Sequence, residues 1–137
     1  MTPEERLKLT QAARDAAGNA YAPYSHFRVG AAVLGKLGMY TGVNVENASY
    51  PTGLCAERAA LAAAIAKGDR TMRGIAIACV DATTTDIHEL VPCGACRQWM
   101  TELAPNAEVV VCGSDLERNF TVAELLPLPF RLKEPAP

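Results

Sequence analysis

The sequence predicts an α/β fold, a three-layer α-β-α sandwich on a mixed sheet of about five strands. Two runs rich in strand formers, FRVGAAVL and MYTGVNV, are separated only by the short GKLG segment, which predicts an antiparallel hairpin. Downstream, strand-forming runs alternate with helical ones, the pattern of right-handed crossovers between parallel neighbours. A hairpin joined to crossovers makes the sheet mixed. At 137 residues the chain is expected to be one domain, 1–137, long enough to bury roughly 68% of its unfolded surface.

The first helix opens at Thr2, Pro3 and Glu5: a hydroxyl cap, a proline in the first turn, and a carboxylate three residues after the cap. Leu9, Ala12, Ala13, Ala16 and Ala17 recur at helical spacing, and Gly18 ends it. The hairpin strands follow at 27–34 and 39–45, then the loop NASYPTG. Next come a helix over 54–67, a strand over 74–80, a polar loop ending at Pro92, a helix over 93–103 and a strand over 108–113. ERNFT adds a fifth strand, and Thr121 with Glu124 repeats the capping box before AELL. The tail PLPFRLKEPAP carries too many prolines for regular structure.

Charge narrows the range of partners. The chain has 13 basic and 15 acidic residues, a net charge of −2, and no Lys/Arg cluster, so nucleic acid is not an expected partner. The amino-terminal segment is charged from its fourth residue and lacks the apolar core of a secretory signal. No apolar run approaches the length of a membrane span, so the expectation is a cytoplasmic protein without a membrane partner. Five cysteines, an odd number, argue there for metal or thiol chemistry over a disulfide framework.

Two short segments carry the chemistry. In GLCAERAALAAAIAKG, residues 53–68, Cys55 and Glu57 share the start of an alanine-rich helix. In PCGACRQ, residues 92–98, Cys93 and Cys96 lie one helical turn apart. A lone CxxC fits a redox dithiol, half of a structural zinc site, or chance. Cys55 changes the balance, because crossovers can bring both helix starts together at the carboxyl ends of the strands. Three thiolates suit zinc, and three protein ligands leave the fourth position that a catalytic zinc keeps open. Residues two apart point to opposite sides of a helix, so Glu57 reaches such a metal only if Cys55 caps the helix. There it would move protons; the plainer reading is a first-turn glutamate favoured by the helix dipole. Three thiolates against two positive charges leave −1, which helix amino termini and Arg58 would offset by hydrogen bonding to sulfur. Arg97 is the weaker candidate for that task.

CAER followed by PCGACRQ resembles the zinc signature of the cytidine deaminase superfamily in its all-cysteine form. YSHFRVGAAV, TGVNVENASYPTGLCAERAAL and AELLPLPF extend the resemblance, over most of 21–130, to the small homotetrameric free-nucleoside cytidine deaminases. The resemblance implies the cytidine deaminase fold, one zinc per chain on Cys55, Cys93 and Cys96, and Glu57 as proton shuttle. It implies a substrate site with Asn44 and Glu46 on the sugar 3′-hydroxyl, Phe27 against the base, and Ala56 and Tyr50 nearby. Phe130 would complete the pocket of a neighbouring subunit in a homotetramer. The implied reaction is hydrolysis of cytidine and 2′-deoxycytidine to the uridines and ammonia, a step of pyrimidine salvage. The GKLG hairpin is shorter than the family's usual connection.

Other readings stay open on the residues alone. Phe27 also fits a core aromatic beside a strand, and Asn44 and Glu46 fit strand-end turn residues. Cys79 and Cys112, inside apolar strands, read as small buried hydrophobes, and His26 and His88 as loop residues. The alanines of the second helix fit packing on the sheet or across subunits. Rival functions are deamination of an analogue such as blasticidin S, editing of nucleic acid, or a non-enzymatic zinc or redox module.

Overall fold

Cysteines at two helix starts can meet only if the strands before those helices run the same way, and the sheet arranges this. The computed structural model describes residues 1–133, so the end of the proline-rich tail lies outside the described residues. The elements are α1 (Pro3–Ala17), β1 (Val29–Gly35), β2 (Met39–Val43), α2 (Ala56–Ala66), β3 (Met72–Cys79), α3 (Gly94–Leu103), β4 (Glu108–Cys112), β5 (Glu117–Thr121) and α4 (Val122–Leu125). The sheet order is β2-β1-β3-β4-β5.

The hydroxyl half of each expected capping box forms. Thr2 Oγ1 accepts from the Glu5 amide at 3.1 Å, and Thr121 Oγ1 accepts from the Glu124 amide at 3.1 Å. Each satisfies a donor that the helix itself leaves unpaired.

Only β3 and β4 pair in parallel; β1 is antiparallel to both β2 and β3, and β5 is antiparallel to β4. Parallel neighbours were expected at both crossovers, and α2 departs from that. It leaves β2 and enters β3 with β1 lying between them, because β1 pairs on both its edges. With one antiparallel strand between, β2 and β3 still point in one direction, so α2 and α3 both begin at the same edge of the sheet.

The strands β3 and β4 are buried almost throughout, since each faces helices on both sides. On one face α1 places Leu9 and Ala13 on Ala32, Ala76, Ala78 and Val110. On the other, Ala56, Ala60, Leu61, Ala64 and Met100 cover Ala31, Val33, Ile75, Ile77, Val109 and Val111. Three layers result, as expected. A Cβ at Gly42 would lie 2.4 Å from the Ala60 nitrogen and 2.5 Å from the Ala56 oxygen. The α2 backbone therefore rests directly on β2, and packing on the sheet takes up much of the alanine face.

The GKLG hairpin closes with the Gly35 amide donating to the Gly38 carbonyl at 2.8 Å. Its tip is held from outside the hairpin. The buried carboxylate of Asp69 accepts from the Leu37 amide at 2.7 Å, the Lys36 amide at 3.2 Å, the Thr71 amide at 3.1 Å and the Tyr40 hydroxyl at 3.1 Å. Burial acts to raise its pKa, but the three amides and the hydroxyl outweigh that and hold it below the ordinary value.

Candidate active site

Cys55 and Cys93 are the N-cap residues of α2 and α3, both with extended backbone and neither making a side-chain cap bond. Cys96 lies one turn into α3 and is fully buried. Their sulfurs converge: Cys55 Sγ is 3.8 Å from Cys93 Sγ, Cys93 Sγ is 3.5 Å from Cys96 Sγ, and all three lie within 4.8 Å of one another. Sulfurs held about 2.3 Å from a tetrahedral zinc lie about 3.8 Å apart, so the cluster fits that ion. Among the described residues no fourth His, Cys, Asp or Glu joins the group.

Electrostatics favour a thiolate at Cys55. The Cys55 thiol is pulled down to about 5, first by the hydrogen bond from Cys96 and then, against burial, by Arg58. The same bond, followed by burial, raises Cys96. Arg58 Nη2 donates to Cys55 Sγ at 3.3 Å, which keeps the guanidinium firmly charged. Its Nε is buried without a partner. Arg97 is engaged elsewhere: Nε and Nη1 donate to the Pro92 and Leu125 carbonyls at 2.7 and 2.6 Å, tying α3 to α4.

Glu57 occupies the first turn of α2 and is only 5% exposed. Burial pushes its carboxyl up to about 6, and the charge on Cys55 adds to that. A capping Cys55 is what lets two residues of opposite helical direction share one site.

A cavity of about 650 Å³ is lined by Cys55, Ala56, Glu57, Arg58 and Cys93 together with Phe27, Asn44, Glu46 and Tyr50. Phe130 lies outside it, 69% exposed, with its carbonyl accepting from Gln98 Nε2 at 2.8 Å. Tyr50 is 75% exposed and meets Tyr24 edge to face, ring centroids 6.0 Å apart. Cys79 also lines the cavity, its thiol pushed up to about 12 by burial, whereas Cys112 faces α1 on the other side of the sheet.

Asn44 and Glu46 are more committed than the sequence suggests. Asn44 Oδ1 accepts from the Val29 amide and Nδ2 donates to the Phe27 carbonyl, both at 2.8 Å, so the side chain extends the ladder where β1 begins, beside the Asn44 amide's own bond to the Val29 carbonyl at 3.2 Å. One amide hydrogen and one oxygen lone pair remain for a ligand. Glu46 accepts from the Tyr24 and Ser25 amides at 3.0 and 3.1 Å and from the Ser25 hydroxyl. The Ser25 hydroxyl, before the other bonds, holds the Glu46 pKa below the ordinary carboxylate value. Sequence reasoning missed Ser25 and Asp81; the short polar side chain one position before His26 was the only signal for the first, and the second had none.

The model of the family described as the cytidine and deoxycytidylate deaminase zinc-binding region matches residues 3–113. The chain belongs to that family. It is 44% identical over 134 residues to the cytidine deaminase of Halalkalibacterium halodurans, covering 95% of this chain and 97% of that one. It is 42% identical over 118 residues to a probable cytidine deaminase of Dictyostelium discoideum, covering 84% and 76%. Its fold matches the crystal structure of a cytidine deaminase from Burkholderia pseudomallei with a TM-score of 0.82 and 42% identity, over 95% of this chain and 100% of that one. The deaminase match spans both cysteine segments and the loop between β2 and α2. The zinc that defines the family agrees with the sulfur cluster as its holder. No helix among the described residues is long and apolar enough to cross a membrane.

Proposed function

We propose that this deaminase hydrolyses free cytidine and 2′-deoxycytidine to uridine and 2′-deoxyuridine, releasing ammonia. One observation carries the reading: a buried carboxyl, two sulfurs of a three-sulfur cluster and an aromatic ring line the same cavity. Cys55, Cys93 and Cys96 hold zinc, which supplies activation of water for attack on C4 of the base. Glu57 accepts one proton of the attacking water and gives it to N3 as the C4–O bond forms, then carries the remaining hydroxyl proton to the departing amine as the C4–N bond breaks, leaving a C4 carbonyl and ammonia. A carboxyl raised toward neutrality suits both halves of that transfer. Arg58 steadies the Cys55 thiolate by its hydrogen bond.

Phe27 offers a flat apolar platform for the pyrimidine. Asn44 and Glu46 use their remaining hydrogen-bonding capacity on the 3′-hydroxyl, which admits both sugars. Ala56, at the first position of α2, has a backbone N–H without an intrahelical partner. Tyr50 and Phe130 act across subunits of a homotetramer; the exposure of Phe130 outside its own cavity, beside exposed Leu128 and Leu132, supports this. The single domain works in the cytoplasm in pyrimidine salvage, with no nucleic-acid or membrane partner.

An ultraviolet assay on cytidine, deoxycytidine, CMP, cytosine and a short oligonucleotide tests the proposal. Turnover should be confined to the two nucleosides, vanish with a chelator and return with zinc. Indifference to the chelator would refute the metal assignment, and native mass spectrometry showing only monomer at micromolar concentration would refute the tetramer.

A further inference from the structure

We propose that Asp81, in the loop after β3, is a positioning residue that holds the Phe27 ring in place for the base by gripping Arg28. This rests on the functional reading above. Phe27 lies in the segment 24–28, ahead of β1 and outside the strand ladder. Side chains hold that segment instead. From the β2 side Asn44 takes the Phe27 carbonyl and the Val29 amide, and Glu46 takes the Tyr24 and Ser25 amides. The Ser25 hydroxyl accepts from the Phe27 amide at 3.0 Å. From the β3 side Asp81 accepts three times: from the Arg28 amide at 2.8 Å, Arg28 Nε at 2.9 Å and Arg28 Nη2 at 2.8 Å.

Two features separate this from an ordinary surface ion pair. Arg28 is about half exposed, and charge attraction in such a pair contributes little to stability. One of the three bonds, however, goes to the main chain next to Phe27, where it sets the direction in which the ring leaves the backbone. In addition, His26 on the other side of Phe27 has φ of 57°. A non-glycine residue in the left-handed region is uphill and persists only when its surroundings hold it. Free one end, and the segment can relax and carry the ring away. The carboxylate stays charged throughout the working range, since the Arg28 bonds hold its pKa near about 2.

The test uses zinc-loaded full-length protein, cytidine kinetics and calorimetric binding of uridine. Asp81→Ala should raise both KM for cytidine and Kd for uridine by about tenfold, the scale of one well-placed aromatic contact, with kcat within about twofold. Zinc content should not change. Arg28→Ala, which keeps the amide bond to Asp81, should raise both by about threefold, and Asp81→Asn, which keeps acceptor oxygen, should recover most of the loss. Asp81→Ala with KM and Kd within about twofold of the wild type, or with kcat falling at constant KM, would overturn the proposal even if its melting temperature dropped. Should Asp81→Ala fail to fold, unchanged KM and Kd in Arg28→Ala overturn it equally. A wild type inert toward cytidine sinks the functional reading as well, whereas an active wild type with an indifferent Asp81→Ala sinks the positioning role alone.

Discussion

The working side chains fall into two groups: those of the helix end stand on two helix starts, and those of the loop end stand on a segment with no regular structure of its own. Cys55, Glu57, Cys93 and Cys96 are directed by the first turns of α2 and α3; α2 lies along the sheet, and α3 joins the same core through Cys96 and Met100. Phe27 is directed by Asn44 and Glu46, which follow β2, and by Asp81, which follows β3. The first end has its orientation built in by local backbone. The second acquires it from hydrogen bonds over long sequence separations, so residues that read as substrate contacts also serve as scaffolding.

Substitutions at the two ends should therefore fail differently. The largest effect belongs to the helix end: Glu57→Gln should lower kcat by about 10³-fold while zinc stays near one per chain, because a proton carrier is lost and the ligands are not. Metal analysis beside steady-state kinetics measures both, and a variant with wild-type turnover removes Glu57 from the mechanism. At the loop end Asn44→Leu should cost about 2 kcal/mol of stability, since it leaves a half-buried amide and a half-buried carbonyl unpaired. Denaturant unfolding reports that loss, and KM should rise with it; a rise in KM at full stability would make Asn44 a ligand contact only.

Asp69→Asn sharpens the contrast as a site belonging to neither end. It should lower the melting temperature by weakening the grip on the Lys36–Leu37 tip, with KM and kcat unchanged. Any shift in KM would mean that the hairpin communicates with the cavity. The smallest effect is the acid response of the Arg28–Asp81 clamp. Asp81 falls from an ordinary 3.8 to about 2 in the folded protein, chiefly through its bonds from Arg28. A depressed folded pKa means a contribution complete above the unfolded value and lost as pH falls through the folded one. The stability difference between wild type and Asp81→Asn should shrink between pH about 4 and about 2. Denaturant midpoints across that window measure it, and a constant difference would show that the clamp's charge contributes nothing.

Much of this molecule was legible in residue order. Thr2 with Glu5 and Thr121 with Glu124 marked helix starts that the structure reproduces, because a cap is a contact between residues three apart. The CAE and CxxC spacings announced a metal site for a similar reason: ligand direction follows from position in a single helical turn. The strand order was less accessible. Nothing local says that β1 would stand between β2 and β3, since strand pairing is decided by which apolar faces α1 and α2 can cover together.

The sequence by itself determined which segments become helices and strands, though β1 begins at Val29 rather than 27 and β3 at Met72 rather than 74. It also determined which thiols stand at helix starts and which family the chain resembles, all of them consequences of interactions within a few residues. Only the tertiary structure decided that Asn44 and Glu46 support the backbone around Phe27, that Asp69 seats the hairpin, and that Asp81 grips Arg28. A carboxylate's partners are whichever amides the packed sheet leaves unpaired beside it, and which amides those are depends on the whole arrangement of strands.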